Sequence, residues 1–287
     1  MCRTLLCIKQ YLPWWVKLWG KIFLSRMPVS SSTWKKVGIF EHSQDDNQKY
    51  VADTFLKAKK LLGNRKGYTC LELGPGDWLG TVIVAKAYGA KKTYLVDVGR
   101  FARWELDYYR EFMTLCPKDL LQDLDLSNEQ LMLRSCAAEY LTEGLDSLGK
   151  IPSESVDLVF SSAVLEHIRR EEFEDTMREL CRILKKCGRV FHGVDLQDHL
   201  GGGLNHLRFS PGFWESDWIY ESGVYTNRTR FEEMVGIMEN CGFTLLKYRS
   251  EKWTEPVLPR VKMDKSFRAL PGEEFLIKTF EVELGVD

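Results

Sequence analysis

The chain has 287 residues, 44% hydrophobic and 28% charged, with nine prolines and 22 glycines; this excludes collagen-like and broadly disordered chains and supplies material for a core. A net charge of −1 excludes a generally basic nucleic-acid binder, and no nucleic-acid partner is expected. That balance conceals a basic end: residues 1–40 carry seven cations and no carboxylate, leaving 33 cations against 41 anions in the rest.

The eight cysteines form no C-x-x-C pair, and several lie in apolar runs where a free thiol packs as a small hydrophobe. A reducing, cytoplasmic compartment is therefore expected. No apolar run reaches the ~18–20 residues that cross a bilayer. The opening MCRTLLCIKQ lacks a small-x-small cleavage site, so no signal peptide is expected.

In chain order, the first element is an amphipathic helix. The segment Leu12–Phe23 sets Leu12, Trp15, Val16, Trp19, Ile22 and Phe23 on one face, with Lys17 and Lys21 on the other. Two readings are open. The apolar face packs on the body as a lid, or residues 12–26 rest on anionic lipid as a peripheral membrane contact.

From Lys66 onward, short apolar runs alternate with helical stretches. Strands are expected at Tyr68–Leu73, Thr93–Asp97, Leu131–Ser135, Val156–Ser161 and Arg189–Val194. Helices are expected at Thr81–Tyr88, at Phe101–Thr114 and over Phe173–Leu184, the last stopped by Gly188. This alternation implies right-handed crossovers and a mostly parallel sheet, an α/β fold. A helix at Phe231–Asn240 follows, then strands at Phe243–Arg249 and Phe275–Glu283, the last expected to be antiparallel. Residues 198–229, rich in Gly and aromatics without a period, read as a substrate-covering insertion. The expected organisation is a helical arm and lid over 1–65 and one domain over 66–287.

The chemistry begins at Leu71-Glu72-Leu73-Gly74-Pro75-Gly76, where a strand runs into closely spaced glycines that let a ligand approach the backbone. No Gly-Lys-Ser/Thr follows, which excludes a P-loop, and the nicotinamide spacing G-x-G-x-x-G is missed by one residue. Glu72 lies inside an apolar strand, where a carboxylate needs a polar partner. Asp97 ends the next strand, placed to accept hydrogen bonds from a ribose diol.

At these residues the chain resembles the class I S-adenosylmethionine-dependent methyltransferases, over about residues 66–200. The resemblance rests on LELGPG (71–76), YLVD (94–97), CAAEYL (136–141) and VDLVFSSAVLEHI (156–168), followed by RELCRILKKCGRV (178–190). It implies a Rossmann-like seven-stranded sheet with an antiparallel last strand, and S-adenosylmethionine as cofactor. On that implication Gly74 and Gly76 hold the methionine end beside Glu72, and Asp97 holds the ribose. Ala138 and Glu139 lie against the adenine, and Ser161 ends a strand on the cofactor side. Ala137 stands where the family often has Asp.

Four of the five histidines (His167, His192, His199 and His206) fall within residues 167–206. Three readings are open: core-facing or solvated histidines, a metal site whose spacing matches no common zinc or iron motif, and acid/base groups for methyl transfer. His192 is the preferred base, oriented by Asp195 if the strand ends by Val194; His167 is the second candidate. His199 and Arg228 are assigned to the substrate, Arg228 meeting an anionic group. The aromatics Phe209, Phe213, Trp214, Trp218, Tyr220 and Tyr225 form either a substrate wall or a satellite hydrophobic cluster. No metal is expected. The function so implied is methyl transfer to a small-molecule or lipid-linked acceptor, at oxygen. Its rival is a catalytically silent Rossmann-like cofactor-binding or assembly module, against which LELGPG and Asp97 speak.

Overall fold

The computed structural model describes residues 12–27, 48–117, 121 and 123–286. Its helices are α1 (Trp14–Ser25), α2 (Gln48–Lys59), α3 (Thr81–Ala87), α4 (Leu106–Leu115), α5 (Glu129–Ser135), α6 (Gly144–Gly149), α7 (Arg170–Ile183), the one-turn α8 (Pro211–Trp214) and α9 (Asp217–Tyr220), and α10 (Phe231–Asn240). The strands are β1 (Tyr68–Leu73), β2 (Ala90–Val96), β3 (Ala138–Leu141), β4 (Val156–Ser162), β5 (Leu184–Asp195), β6 (Thr244–Lys252) and β7 (Ile277–Gly285). They form one seven-stranded sheet in the order β3-β2-β1-β4-β5-β7-β6. The first five run parallel, and β7 is antiparallel to both β5 and β6.

Period-two alternation divides the strands between two cores. Leu71, Val159, Val190 and Val194 face Phe173, Met177 and Leu180 of α7 and Met234 and Met238 of α10. Cys70, Leu158, Phe160 and Phe191 face Phe55 of α2, Val82 of α3 and Phe112 of α4. Phe55 is fully buried and meets Phe160 edge-on at 5.6 Å, so α2 belongs to the sheet layers rather than to a separate arm ending at residue 65.

One strand and one helix stop differ from expectation. Leu131–Ser135 is helical, because Asn128 caps the N-terminus by accepting from the Leu131 amide at 3.0 Å. The strand follows at Ala138, after Ala137 takes a positive φ of 49°. Gly188 stops no helix: α7 ends at Ile183 and the chain enters β5 directly at Leu184.

A third core joins α1 to the 198–229 segment. Leu18 and Ile22 are buried against Leu200, Trp214, Ile219, Val224 and Tyr225, with Trp14 packed beside them. All of the aromatic run but the exposed Trp218 is thus a hydrophobic cluster under α1, and the Trp214 indole donates to the Thr226 carbonyl at 2.8 Å. The stripe that packs is Trp14, Leu18 and Ile22; of the expected face Leu12, Trp15, Val16, Trp19, Ile22 and Phe23, Ile22 is buried and Val16 half-buried, while the other four are exposed. No helix among the described residues is long and apolar enough to cross a membrane.

Candidate active site

In parallel sheets the ligand crevice lies beyond the carboxyl ends of the strands, and the groups gathered there are largely those of the motifs. Gly74 and Gly76 adopt φ of 70° and 68°, a region costly for any side chain. A Cβ on Gly74 would also come within 2.4 Å of Val164, which follows β4 and seals that side of the turn. Asp97 ties the strand ends together. Its Oδ2 accepts from the Gly76 amide at 3.0 Å and its Oδ1 from the Val98 amide at 2.8 Å. Its own amide donates to the Leu141 carbonyl at 2.9 Å, and its carbonyl accepts from Gly144. Burial pushes its pKa up to about 6, against the pull of those two amides.

Glu72 lies on the face of β1 turned toward α3. Burial pushes its pKa up to about 8; the Thr81 hydroxyl supports the ionised form, and Asp97 opposes it. Its Oε2 is buried with no partner among the described residues. An unpaired carboxylate oxygen costs about 1–3 kcal/mol in such a place. That orphaned acceptor beside the glycine turn fits a cation such as the ammonium of an amino-acid moiety, and Asp97 fits a ribose. The chain therefore has the polar groups S-adenosylmethionine requires.

Ala138 and Glu139 are not at this end. Glu139 pairs in register with Tyr94, three residues short of Asp97 and thus about 10 Å down the strand. Its carboxylate meets Lys92 at 2.8 Å. The residues that follow β3, Thr142, Glu143 and Gly144, occupy the position expected of them; a Cβ on Gly144 would touch Val98 at 3.3 Å.

His192 is fully buried between β4 and β5, paired in register with Ser161 and bonded to it, Oγ to Nδ1, at 2.7 Å. Burial drops its pKa to about 3 and leaves Nε2 enclosed without a partner among the described residues. The Ser161 hydroxyl is committed to this contact. Asp195 cannot orient His192, because β5 runs through residue 195 and sends the two side chains to opposite faces. Asp195 accepts instead from the Gln197 amide and side chain, each at 2.9 Å. Asp198 is a loop organiser, accepting from the amides of Leu200, Gly203 and Asn205.

A second histidine pair lies past the end of β4. The turn Leu165–His167 aims His167 Nδ1 at the Tyr225 carbonyl, 3.0 Å away, and His167 Nε2 lies 3.1 Å from His199 Nε2. The carbonyl can only accept, so His167 Nδ1 carries the hydrogen. Burial drops the His167 pKa to about 3 and the His199 pKa to about 4; both rings are neutral. His167 Nε2 must then accept from His199 Nε2–H, and the network assigns the free lone pair to His199 Nδ1. The Lys21 ammonium of α1 depresses both rings further.

Arg228 is 5% exposed, in a left-handed conformation with φ of 59°. Its guanidinium donates to the Phe209 carbonyl at 2.7 Å and to Glu215 Oε1 at 3.0 Å. It anchors the 205–229 segment and is not free to meet an anion. His206 is buried beneath it, its pKa pushed well down by burial and by Arg230 and Arg228.

Two groups escaped the sequence reading. Glu166 is 1% exposed; its Oε1 accepts from the Asp195 amide at 3.2 Å while Oε2 has no partner among the described residues, and burial pushes its pKa up to about 8. Its place in the apolar run Ala163–Ile168 carries the same warning that marked Glu72. Tyr50 of α2 meets Ser162 Oγ at 2.8 Å, a contact that no local pattern around residue 50 announces.

Residues 98–192 match a family described as methyltransferase domain. No curated protein matches the chain. Among solved structures, the chain is similar to phosphoethanolamine N-methyltransferase 2 of Haemonchus contortus, solved with S-adenosyl-L-methionine, at 17% identity and a TM-score of 0.47, covering 82% of this chain and 52% of that one. It is also similar to S-adenosylmethionine-dependent methyltransferases of Mesorhizobium loti and Archaeoglobus fulgidus. Each is 14% identical with a TM-score of 0.46 over 83% of this chain, covering 100% and 94% of theirs.

If Asp97 holds the ribose, Asp97→Ala weakens binding of the donor by about 1–3 kcal/mol, the cost of a lost buried hydrogen-bonded partner. Calorimetry with S-adenosylmethionine and its demethylated product measures this, with NAD as the ligand that does not bind. Equal affinity in the variant would move the ribose elsewhere.

Proposed function

We propose that this chain is a class I S-adenosylmethionine-dependent methyltransferase that places the methyl group on an oxygen of a small or lipid-linked acceptor, with His199 as the base; the methyltransferase-domain match over residues 98–192 and the seven-stranded sheet support the family. The observation that supports this reading is the histidine relay, whose hydrogen bonds leave a lone pair on His199 Nδ1. The bound donor supplies an electrophilic methyl on a sulfonium, with Glu72 and Asp97 as the groups that hold its cationic and ribose ends.

The chain's own contribution is alignment and proton removal. Holding the hydroxyl behind the methyl supplies much of the barrier reduction. As the new C–O bond forms and the C–S bond breaks, the oxygen becomes strongly acidic, so a base of pKa about 4 is strong enough to take its proton. The hydroxyl proton passes to His199 Nδ1. His199 Nε2–H, held by His167, then bonds more strongly as the ring becomes positive.

The test is incubation of the chain with isotopically labelled donor and fractionated host lipids and metabolites, with the product's methylated atom located by fragmentation. A labelled ether or ester is expected; label found only on nitrogen or carbon overturns the oxygen assignment. The pH profile of kcat/KM adds a second check. A base already neutral far below pH 6.5 gives no loss of rate between pH 8 and about pH 5. An acid limb centred near 6.5 would point to an ordinary, solvated histidine instead.

A further inference from the structure

We infer that α1 seats this chain on an anionic lipid bilayer through an exposed aromatic ridge, while its other face packs on the 198–229 segment. The ridge is a stripe at helical spacing: Trp15, Trp19 and Phe23, with Arg26 continuing it past the end of the helix. Trp15 is 54% exposed, Trp19 49% and Phe23 69%. Trp218 of α9, 52% exposed, joins its end, with the Arg26 guanidinium 4.9 Å above the indole and Arg26 Nη2 donating to the Trp218 carbonyl at 3.0 Å.

The exposure is not an unpacked helix. Leu18 and Ile22, one residue round from Trp19 and Phe23, are buried in the third core, so the orientation of α1 is fixed and the ridge is held outward. Large aromatics left in water at successive turns mark a contact surface. Two observations select lipid as the occupant. Tryptophan is favoured at the bilayer interface, where its ring is apolar and its N–H finds water. The charge is complementary: the exposed Arg26 stands at the end of the ridge, and by sequence residues 1–40 hold seven cations and no carboxylate. Lys17 and Lys21 lie on the body side of the ridge, Lys21 Nζ donating to the Gly223 carbonyl at 3.4 Å. One helix thus faces lipid on one side and packs on the 198–229 segment on the other.

The inference does not depend on methyl transfer, and its test uses neither donor nor acceptor. The full chain is floated with vesicles of equal parts phosphatidylcholine and phosphatidylglycerol, and with vesicles of phosphatidylcholine alone. Binding is expected to the anionic vesicles at low salt and to fall as salt rises. The double substitution Trp15→Gln, Phe23→Gln keeps good helix formers in α1 and leaves the buried stripe intact. It is expected to reduce the bound fraction about tenfold or more with thermal stability unchanged. No flotation at low salt, or equal flotation of the variant, overturns the proposal. So does light scattering that finds a dimer which the double substitution dissociates, since a second copy would then cover the ridge.

Discussion

Replacing His199 by alanine is expected to lower turnover by ~100-fold or more while donor affinity stays nearly unchanged, since a positioned general base contributes ~100- to 10,000-fold. His167 acts through His199 and not on the acceptor. It is a positioning residue, and its loss has a different signature. Without the His167 acceptor, nothing fixes the hydrogen on His199 Nε2, and the ring becomes free to hydrate and charge. His167→Ala should therefore bring an acid limb into the pH–rate profile as well as lowering the rate. His192 provides the contrast. Its Nε2 is enclosed and, among the described residues, its ring bonds to Ser161 alone, so His192→Ala should cost stability, about 1–3 kcal/mol for the orphaned hydroxyl, and leave turnover per folded molecule near that of the parent. Turnover lost in folded His192→Ala but kept in His199→Ala would reverse the assignment.

The preference for His192 shows where sequence stops being informative. Its position at the end of a strand next to the glycine-bearing crevice was legible, and so was the run of histidines. Whether a strand residue faces a cleft or a neighbouring strand depends on where the strand ends, and β5 persists to Asp195, one residue beyond the limit the pairing with Asp195 required. The adenine segment failed in the same way. Apolar Leu131, Met132 and Leu133 suit a strand as well as a short helix, and Asn128 decides for the helix by capping it. Moving β3 to residue 138 then carries Ala138 and Glu139 down into the sheet. By contrast, β1, β4 and α10 were readable from periodicity because each buries a regular face in one of the two large cores. The turn chemistry at Gly74, Gly76 and Asp97 was readable because a positive φ and a strand-ending carboxylate are local demands. On α1 the period was right and the expected face was centred one residue off: it held the buried Ile22 but otherwise the exposed Trp15, Trp19 and Phe23, because packing on the 198–229 segment selects Trp14, Leu18 and Ile22.

In the absence of donor, the melting temperature of this chain should peak near pH 6.5 and fall on both sides. The fall on the acid side comes from histidines. His167, His192, His199 and His206 have folded pKa values depressed by burial, to about 3, 3 and 4 and, for His206, well below its ordinary value. The stability they contribute is complete above the unfolded value of 6.5 and is lost as pH falls, because the unfolded chain takes up protons that the folded one refuses. Glu72 and Glu166 act in the opposite sense. Burial raises each to about 8 from the ordinary 4.5, so their contribution is complete below 4.5 and is lost as pH climbs through 8. Between 4.5 and 6.5 four histidines oppose two glutamates, with Asp97, raised to about 6, assisting the glutamates. Above 6.5 the glutamates act almost alone. Near pH 7.5 unfolding then releases about one to two protons, a decline of about 1–3 kcal/mol per pH unit. Glu166→Gln removes one of the two titrating carboxyls and should flatten about half of that alkaline decline, raising the melting temperature at pH 8 relative to the parent. Saturating donor should flatten the other half, since a cation beside Glu72 Oε2 restores its ionised form. Scanning calorimetry across pH 5 to pH 8.5 checks both; a melting temperature that rises steadily to pH 8, or a Glu166→Gln profile superimposable on the parent's, would show that these carboxyls are ionised and paired in the folded chain.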